Sequence, residues 1–160
     1  MARGEWKNTV EDIRNVVLAA IKPLEEGFDF HVEKVDIGDD PYPEIVARNQ
    51  LTFLEISWSP QDGFWYEMGP LVDQEIPPEQ IGPAGPVLDI NRYEIAWFSE
   101  LIKESMPMVR GKSGSVAEAV PNAIGFLIQH ASDCLRGDWS RRPALDALIR
   151  AWWKLHNDTT

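Results

Sequence analysis

Near the N-terminus, apolar residues recur every three or four positions, the spacing of one buried face of an α-helix. This helix should begin near Thr9, because Thr9 and Asp12 have the form of a capping box that satisfies free backbone N–H groups. Pro23 and then Gly27 should end it, since both residues disfavour helix continuation. Its predicted buried face consists of Val10, Ile13, Val16, Val17, Ala20, Ile21 and Leu24.

The pattern then changes to that of β-strands. In the segment FDFHVEKVDI (28–37), apolar and polar residues alternate, as in a half-buried strand. A turn is predicted at GDDPYP (38–43), since two prolines and a glycine prevent a regular ladder. Residues 45–47 and 51–58 follow, as two strands or as one strand broken at Asn49.

The segment ISWSPQDGFWYEM (56–68) predicts a hairpin that completes an antiparallel meander. If Ser59 pairs with Phe64, both faces of the hairpin are mixed. If Trp58 pairs with Phe64, the faces separate cleanly, and we prefer this register. Glu55 and Glu67 are then directly opposed, with Phe53, Ser57 and Trp65 on the same face. The other face is wholly apolar: Leu54, Ile56, Trp58, Phe64, Tyr66 and Met68.

The remainder of the chain predicts a proline- and glycine-rich connection (69–86) and then about three helices. The first helix would be capped by Asp89 or Asn91 and stopped by Pro107. The second would begin at a capping box of Ser115 and Glu118, with Pro121 either kinking it or opening a new helix. Its predicted buried stripe is Ile124, Leu127, Ile128, Ala131 and Leu135, with Gly137 at its end.

The last helix should start at Ser140. Trp153 falls off its apolar stripe and should be at least half exposed. The residues expected to face inward are Leu145, Leu148, Ile149, Trp152 and Leu155.

Together these elements predict an α+β fold. An N-terminal helix packs on an antiparallel meander of three or four strands, followed by the connection and the C-terminal helices. At 160 residues the chain has the length of one domain (1–160), with helix, sheet and connection in residues 1–88 and the helical half in residues 89–160.

The net charge of −11 is unevenly distributed, because residues 25–79 hold 14 acidic residues against only Lys34 and Arg48. Such a field repels nucleic acid and anionic lipid and attracts basic proteins, and the alternative interpretation is that it serves solubility alone. The N-terminal segment lacks a secretory signal pattern, no apolar run has transmembrane length, and Cys134 has no partner for an internal disulfide. We therefore expect a cytoplasmic protein that binds neither nucleic acid nor membrane.

Motifs for catalysis or metal binding are weak. His130 and Cys134 are four residues apart on a predicted helix, but a structural zinc site needs four ligands and no second pair exists. The sequence contains none of the common nucleophile, metalloprotease or dinucleotide motifs. We therefore predict no cofactor, no metal and no enzymatic activity.

The opposed carboxylates of Glu55 and Glu67 have three interpretations. They could both point into solvent, or they could form a binding face in which Trp65 and Phe53 supply apolar area and the carboxylates receive Arg or Lys. They could also be a catalytic carboxylate pair. A second acidic segment, with Asp39, Asp40 and Tyr42, is either a solvated turn or a contact loop for a basic partner.

The favoured hypothesis is a non-enzymatic acidic module that binds a basic protein through Glu55, Trp65, Glu67, Phe53, Asp39, Asp40 and Tyr42. In composition the chain is similar to inhibitor-like proteins that neutralise a basic enzyme, such as bacterial toxin immunity proteins. One alternative is a small-molecule-binding protein or hydrolase-like enzyme that uses Glu55 and Glu67 or His130. The other is a homo-oligomeric structural protein joined through Trp153. We expect a monomer or a homodimer.

Overall fold

A computed structural model describes residues 10–36, 43–59, 61–78, 90–111 and 116–157. The predicted α+β class is confirmed: N-terminal helices, an antiparallel sheet and C-terminal helices follow one another along the chain. The elements are α1 (Val10–Ala20), α2 (Lys22–Phe28), β1 (His31–Asp36), β2 (Glu44–Arg48), β3 (Thr52–Ser59), β4 (Gly63–Pro70), β5 (Tyr93–Glu94), α3 (Ile95–Ile102), α4 (Val116–His130), α5 (Ser132–Leu135) and α6 (Arg142–Asn157).

The N-terminal helical region differs from its prediction in where it breaks. α1 ends at Ala20, and a second short helix begins after Ile21 with Pro23 in its first turn, where a missing N–H costs nothing. Gly27 lies inside α2, and the chain leaves the helix at Asp29 in the left-handed conformation (φ 58°). Pro23 therefore starts a helix here and does not stop one. Thr9 lies outside the described residues.

The sheet is a meander in which each strand pairs antiparallel with its neighbours in sequence, in the order β1-β2-β3-β4-β5. It has five strands, where three or four were expected, because Tyr93 and Glu94 pair with Met68 and Glu67. We had assigned Tyr93 to a helix. β2 and β3 are separate strands, and the register of β1 against β2 shifts between Val32 and Lys34.

The preferred hairpin register is confirmed, with Trp58 opposite Phe64 and Glu55 opposite Glu67. The predicted apolar face packs into the core with α1 and the C-terminal helices, and only Trp58 on this face is partly exposed. The opposite side of the sheet, called the outer face below, carries Phe53, Glu55, Ser57, Trp65 and Glu67.

The middle helices also differ from their predictions. α3 begins at Ile95 and ends at Ile102, with Lys103 in the left-handed conformation (φ 57°), well before Pro107. Pro121 lies within a continuous α4, whereas Ser115 lies outside the described residues. The helix breaks at Ala131 before the short α5, so the predicted buried stripe spans two helices. Of that stripe only Ile128 is not fully buried.

The predicted buried stripe of the last helix is wrong towards the C-terminal end of α6. Leu145 and Ile149 are buried as expected, and Trp153 continues this line and packs against the core. Trp152 is 44% exposed and Leu155 is 78% exposed, although both were expected to face inward. The spacing 145, 149, 153 follows one side of the helix, whereas 152 and 155 turn away from it. Trp153 is therefore a poor anchor for a homo-oligomer.

Candidate functional site

Three carboxylates lie side by side across the outer face. Glu55 on β3 is opposite Glu67 on β4, which is opposite Glu94 on β5. We call Glu55, Glu67 and Glu94 the carboxylate row. Directly opposed residues of antiparallel strands are neighbours with Cβ atoms about 5 Å apart, so three negative charges in such a row require cations nearby.

Arg92 supplies the cation between the first two members. Its Nη1 donates a short hydrogen bond to Glu55 Oε2 and a second one, of 3.0 Å, to Glu67 Oε1. The Arg92 side chain is only 8% exposed. Burial alone would lower the pKa of Arg92, but the hydrogen bonds and charges of Glu55 and Glu67 outweigh burial and raise it. The opposed carboxylates therefore meet a cation of their own chain.

Arg92 also attaches the proline-rich connection to the sheet. Its Nε and Nη2 donate to the carbonyl oxygen of Pro77, at 3.2 and 2.9 Å. The guanidinium lies over the ring of Phe53, 5.1 Å from the ring centroid. Phe53 is consequently fully buried, although we had expected it to offer apolar area to a partner. One guanidinium thus joins two strands and the connection, which indicates a structural role for this contact.

Glu55 is also in contact with a carboxylate outside the row. Burial raises the pKa of Glu55, and a hydrogen bond with Glu44 raises it further, while Arg92 opposes both effects. Glu44 lies on β2, opposite Ser57, and is a diagonal neighbour of Glu55. Lys34 is the cation nearest to Glu44 among the described residues, at 4.0 Å and largely exposed, so it neutralises this carboxylate only weakly.

The raised pKa of Glu55 predicts a pH dependence of stability. Protonated Glu55 favours the folded state, so its contribution is fully present below the ordinary pKa of 4.5 and is lost as pH rises through the higher folded-state value. We expect Glu55→Gln to gain stability relative to the wild type as pH rises from about 4 to about 7. Urea unfolding at both pH values measures this, with the exposed Glu25→Gln as control. A constant difference between wild type and Glu55→Gln would contradict the prediction.

The third member of the row is paired with a different arginine. Arg110 Nη2 donates to Glu94 Oε1 at 2.7 Å, and the same guanidinium lies 4.7 Å from the centroid of the Trp65 ring. Burial raises the pKa of Glu94, Arg110 lowers it, and the charge of Glu67 raises it, with a net increase. Trp65 remains 40% exposed. The outer face therefore presents an accessible aromatic ring, Trp65, which a cation–π contact with Arg110 holds in place.

The structure brings together only part of the predicted site. Glu55, Glu67, Phe53 and Trp65 share the outer face, as the register required. Asp39, Asp40 and Tyr42 lie outside the described residues, so the contact-loop hypothesis stays a prediction.

His130 and Cys134 do not share a helix, because the helix breaks at Ala131. Burial first, and the charge of Asp133 second, raise the pKa of the buried Cys134 thiol to about 12. The thiol is thus neutral and unreactive at pH 7. Within the described ranges, no three His, Cys, Asp or Glu side chains form a group able to hold a metal ion.

Comparison with known proteins found no matching family model, no similar curated protein and no similar solved structure. Among the helices that the structure describes, none combines the length and apolar character needed to cross a membrane.

Sequence reasoning missed Arg92 and Arg110, which hold the carboxylate row. The available signal was the opposed pair itself, since two half-buried carboxylates at that distance need a cation. Lys34 and Arg48 are the only Lys or Arg residues between positions 25 and 79, which leaves Arg92, Lys103 and Arg110 as the next candidates along the chain. Nothing local marks either residue, because Arg92 is 37 and 25 residues from the two carboxylates it binds, and Arg110 is 16 residues from Glu94.

Proposed function

We propose that this protein is a non-enzymatic binding module for a basic protein, and that the contact lies on the outer face at Trp65 and Glu44. The observation that carries the proposal is the exposed Trp65 ring, which lies in one row of the sheet with the carboxylate of Glu44. Glu44, Ser57 and Trp65 are directly opposed on β2, β3 and β4. The proposal moves the contact away from Glu55 and Glu67, whose oxygens already bind Arg92.

The shape of this row suits a long basic side chain. Ser57 is small and lies between the Glu44 carboxylate and the Trp65 ring, which are two strand spacings or roughly 10 Å apart. A partner's Arg or Lys could lay its aliphatic stem over Ser57 against the ring and direct its charge at Glu44. Glu44 is 30% exposed and only weakly neutralised by Lys34. Tryptophan and arginine are both enriched among interface hot spots, which suits Trp65 here and an arginine on the partner.

The charge distribution supports a basic partner over other classes. The segment that contains β1 to β4 belongs to the acid-rich part of the chain, and its field attracts cationic surfaces. Such steering raises the association rate and makes it sensitive to salt. Glu55, Glu67 and Arg92 then act as support, because they hold the strands that present Trp65 and Glu44.

The test compares matched double variants in affinity capture from native cell lysate. Trp65→Ser/Glu44→Lys removes the proposed contact, whereas Trp152→Ser/Glu25→Lys removes another exposed tryptophan and reverses another acidic residue away from the outer face. We expect a basic protein to be retained by the wild type and the control, lost by the first variant, and weakened when salt rises from about 0.05 to about 0.5 M. Circular dichroism checks that both variants fold.

The proposal fails if no basic protein is retained, or if both double variants retain the same protein equally. Retention lost by the control variant alone would move the contact to the C-terminal helix. A partner released only by Glu55→Lys/Glu67→Lys would identify the carboxylate row itself as the binding surface.

A further inference from the structure

A cavity of about 530 Å³ lies at the end of the strands away from Trp65, where the end of α2 meets the β2–β3 turn and the residue after α5. Its volume is in the range of small-molecule sites in proteins. The wall includes Phe28, His31, Asn49, Gln50, Leu51 and Arg136. None of these residues belongs to the outer-face contact proposed above.

The walls of this cavity are fixed by the buried side chain of Asn49. Its Nδ2 donates to the carbonyl oxygens of Phe28 and Leu135, at 3.0 and 2.8 Å. Its Oδ1 accepts hydrogen bonds from the backbone N–H groups of Leu51 and Thr52, at 2.9 and 2.8 Å. Three separate chain segments are held by one amide, so the cavity is formed before any ligand arrives.

The polar group best placed to select a ligand is Arg136. Its guanidinium lies over the Phe28 ring, 4.7 Å from the ring centroid, and its side chain is exposed. No carboxylate of the described residues forms an ion pair with it. Stacking restrains the guanidinium but leaves N–H donors for an anion. Phe28 and the half-exposed Leu51 provide apolar surface next to these donors.

We propose that this cavity binds a small organic monoanion, a carboxylate joined to an aromatic or apolar group. Arg136 receives the carboxylate, while Phe28 and Leu51 contact the apolar part. Asp29 also lines the cavity, and its repulsion of anions grows with their charge, so one carboxylate held by Arg136 is favoured over a ligand with two or more negative charges. Gln50 adds an amide that can donate to or accept from a polar substituent.

Phenylacetate is a suitable probe, with the neutral phenylacetamide as its matched isostere. We expect phenylacetate to shift the backbone amide resonances of Gly27, Gln50 and Gly137 in two-dimensional NMR, with a dissociation constant on the order of 1–10 mM. Phenylacetamide should bind at least about tenfold more weakly, because it lacks the charge that Arg136 recognises.

Two variants with the same change in charge locate the site. Arg136→Gln should weaken phenylacetate binding about tenfold or more, whereas the exposed Arg150→Gln on α6 should leave it unchanged. The proposal is overturned if phenylacetate and phenylacetamide bind equally, if Arg136→Gln binds as the wild type does, or if no shifts near the cavity appear up to about 20 mM. These outcomes are independent of the protein-capture experiment, because the residues changed there do not line the cavity.

Discussion

Arg92→Met is expected to lower the free energy of unfolding by about 3 kcal/mol, because it leaves two opposed carboxylates without their cation. The side chains of Glu55 and Glu67 are only 12% and 20% exposed, so water cannot fully replace the guanidinium. The variant also loses both hydrogen bonds to Pro77, which attach the connection to the sheet. Urea denaturation at neutral pH measures the loss.

Two further variants separate the charge effect from the loss of packing. Arg150→Met removes an exposed arginine and should change stability by less than about 0.5 kcal/mol. Arg92→Met/Glu55→Gln/Glu67→Gln removes the repulsion as well as the cation, and should recover about half of the loss. A loss below about 1 kcal/mol for Arg92→Met alone would show that solvent already screens the carboxylate row.

Asn49→Ala is expected to cost a similar amount, about 3 kcal/mol, because one side chain satisfies four backbone groups. Substitution would leave the carbonyl of Leu135 and the N–H of Thr52 buried without these partners, and would release the Phe28 carbonyl and the Leu51 N–H. Thermal unfolding followed by circular dichroism gives the change in stability.

Asn122→Ala provides the comparison for this substitution. Within the described part of the chain the Asn122 side chain makes one exposed hydrogen bond, from its Nδ2 to the Met108 carbonyl at 2.9 Å, and its loss should cost less than about 0.5 kcal/mol. Equal effects of the two substitutions would mean that Asn49 does not hold the segments around the cavity together. Asn49→Ala should also weaken phenylacetate binding, because the cavity walls lose their common attachment.

The hairpin could be predicted because its register is decided by local chemistry. Of the two registers considered, only the pairing of Trp58 with Phe64 places Leu54, Tyr66 and Met68 on the same face, and burial of that face outweighs the preference of the turn. The opposition of Glu55 and Glu67 followed directly from this register. The same reasoning could not find Arg92, which is 37 residues from Glu55 and joins the row through tertiary structure alone.

Errors in the helical half have a similar origin. Tyr93 was assigned to a helix because apolar residues follow it at helical spacing, but pairing with Met68 and a hydrogen bond to the Ile90 carbonyl hold it in β5. For α6, the periodicity could not distinguish Trp152 from Trp153, since adjacent tryptophans both fit a broad apolar stripe. In the structure the Trp152 ring contacts the ring of Trp97, with 6.0 Å between the ring centroids. Trp97 is far from Trp152 in sequence, so the periodicity of α6 could not predict this contact.

The two edge strands of the sheet, β1 and β5, affect whether the protein aggregates at high concentration. A strand edge with free backbone groups can recruit a second molecule and start aggregation. At one edge β5 is only two residues long, and beyond it the Phe64 N–H of β4 already donates to the Arg110 carbonyl oxygen at 2.8 Å, so few free backbone groups remain as a template. At the other end, β1 has an irregular register at Val32 and Lys34, and charges of both signs on Glu33 and Lys34. Edge-to-edge growth into fibres is thus disfavoured at both ends of the described sheet.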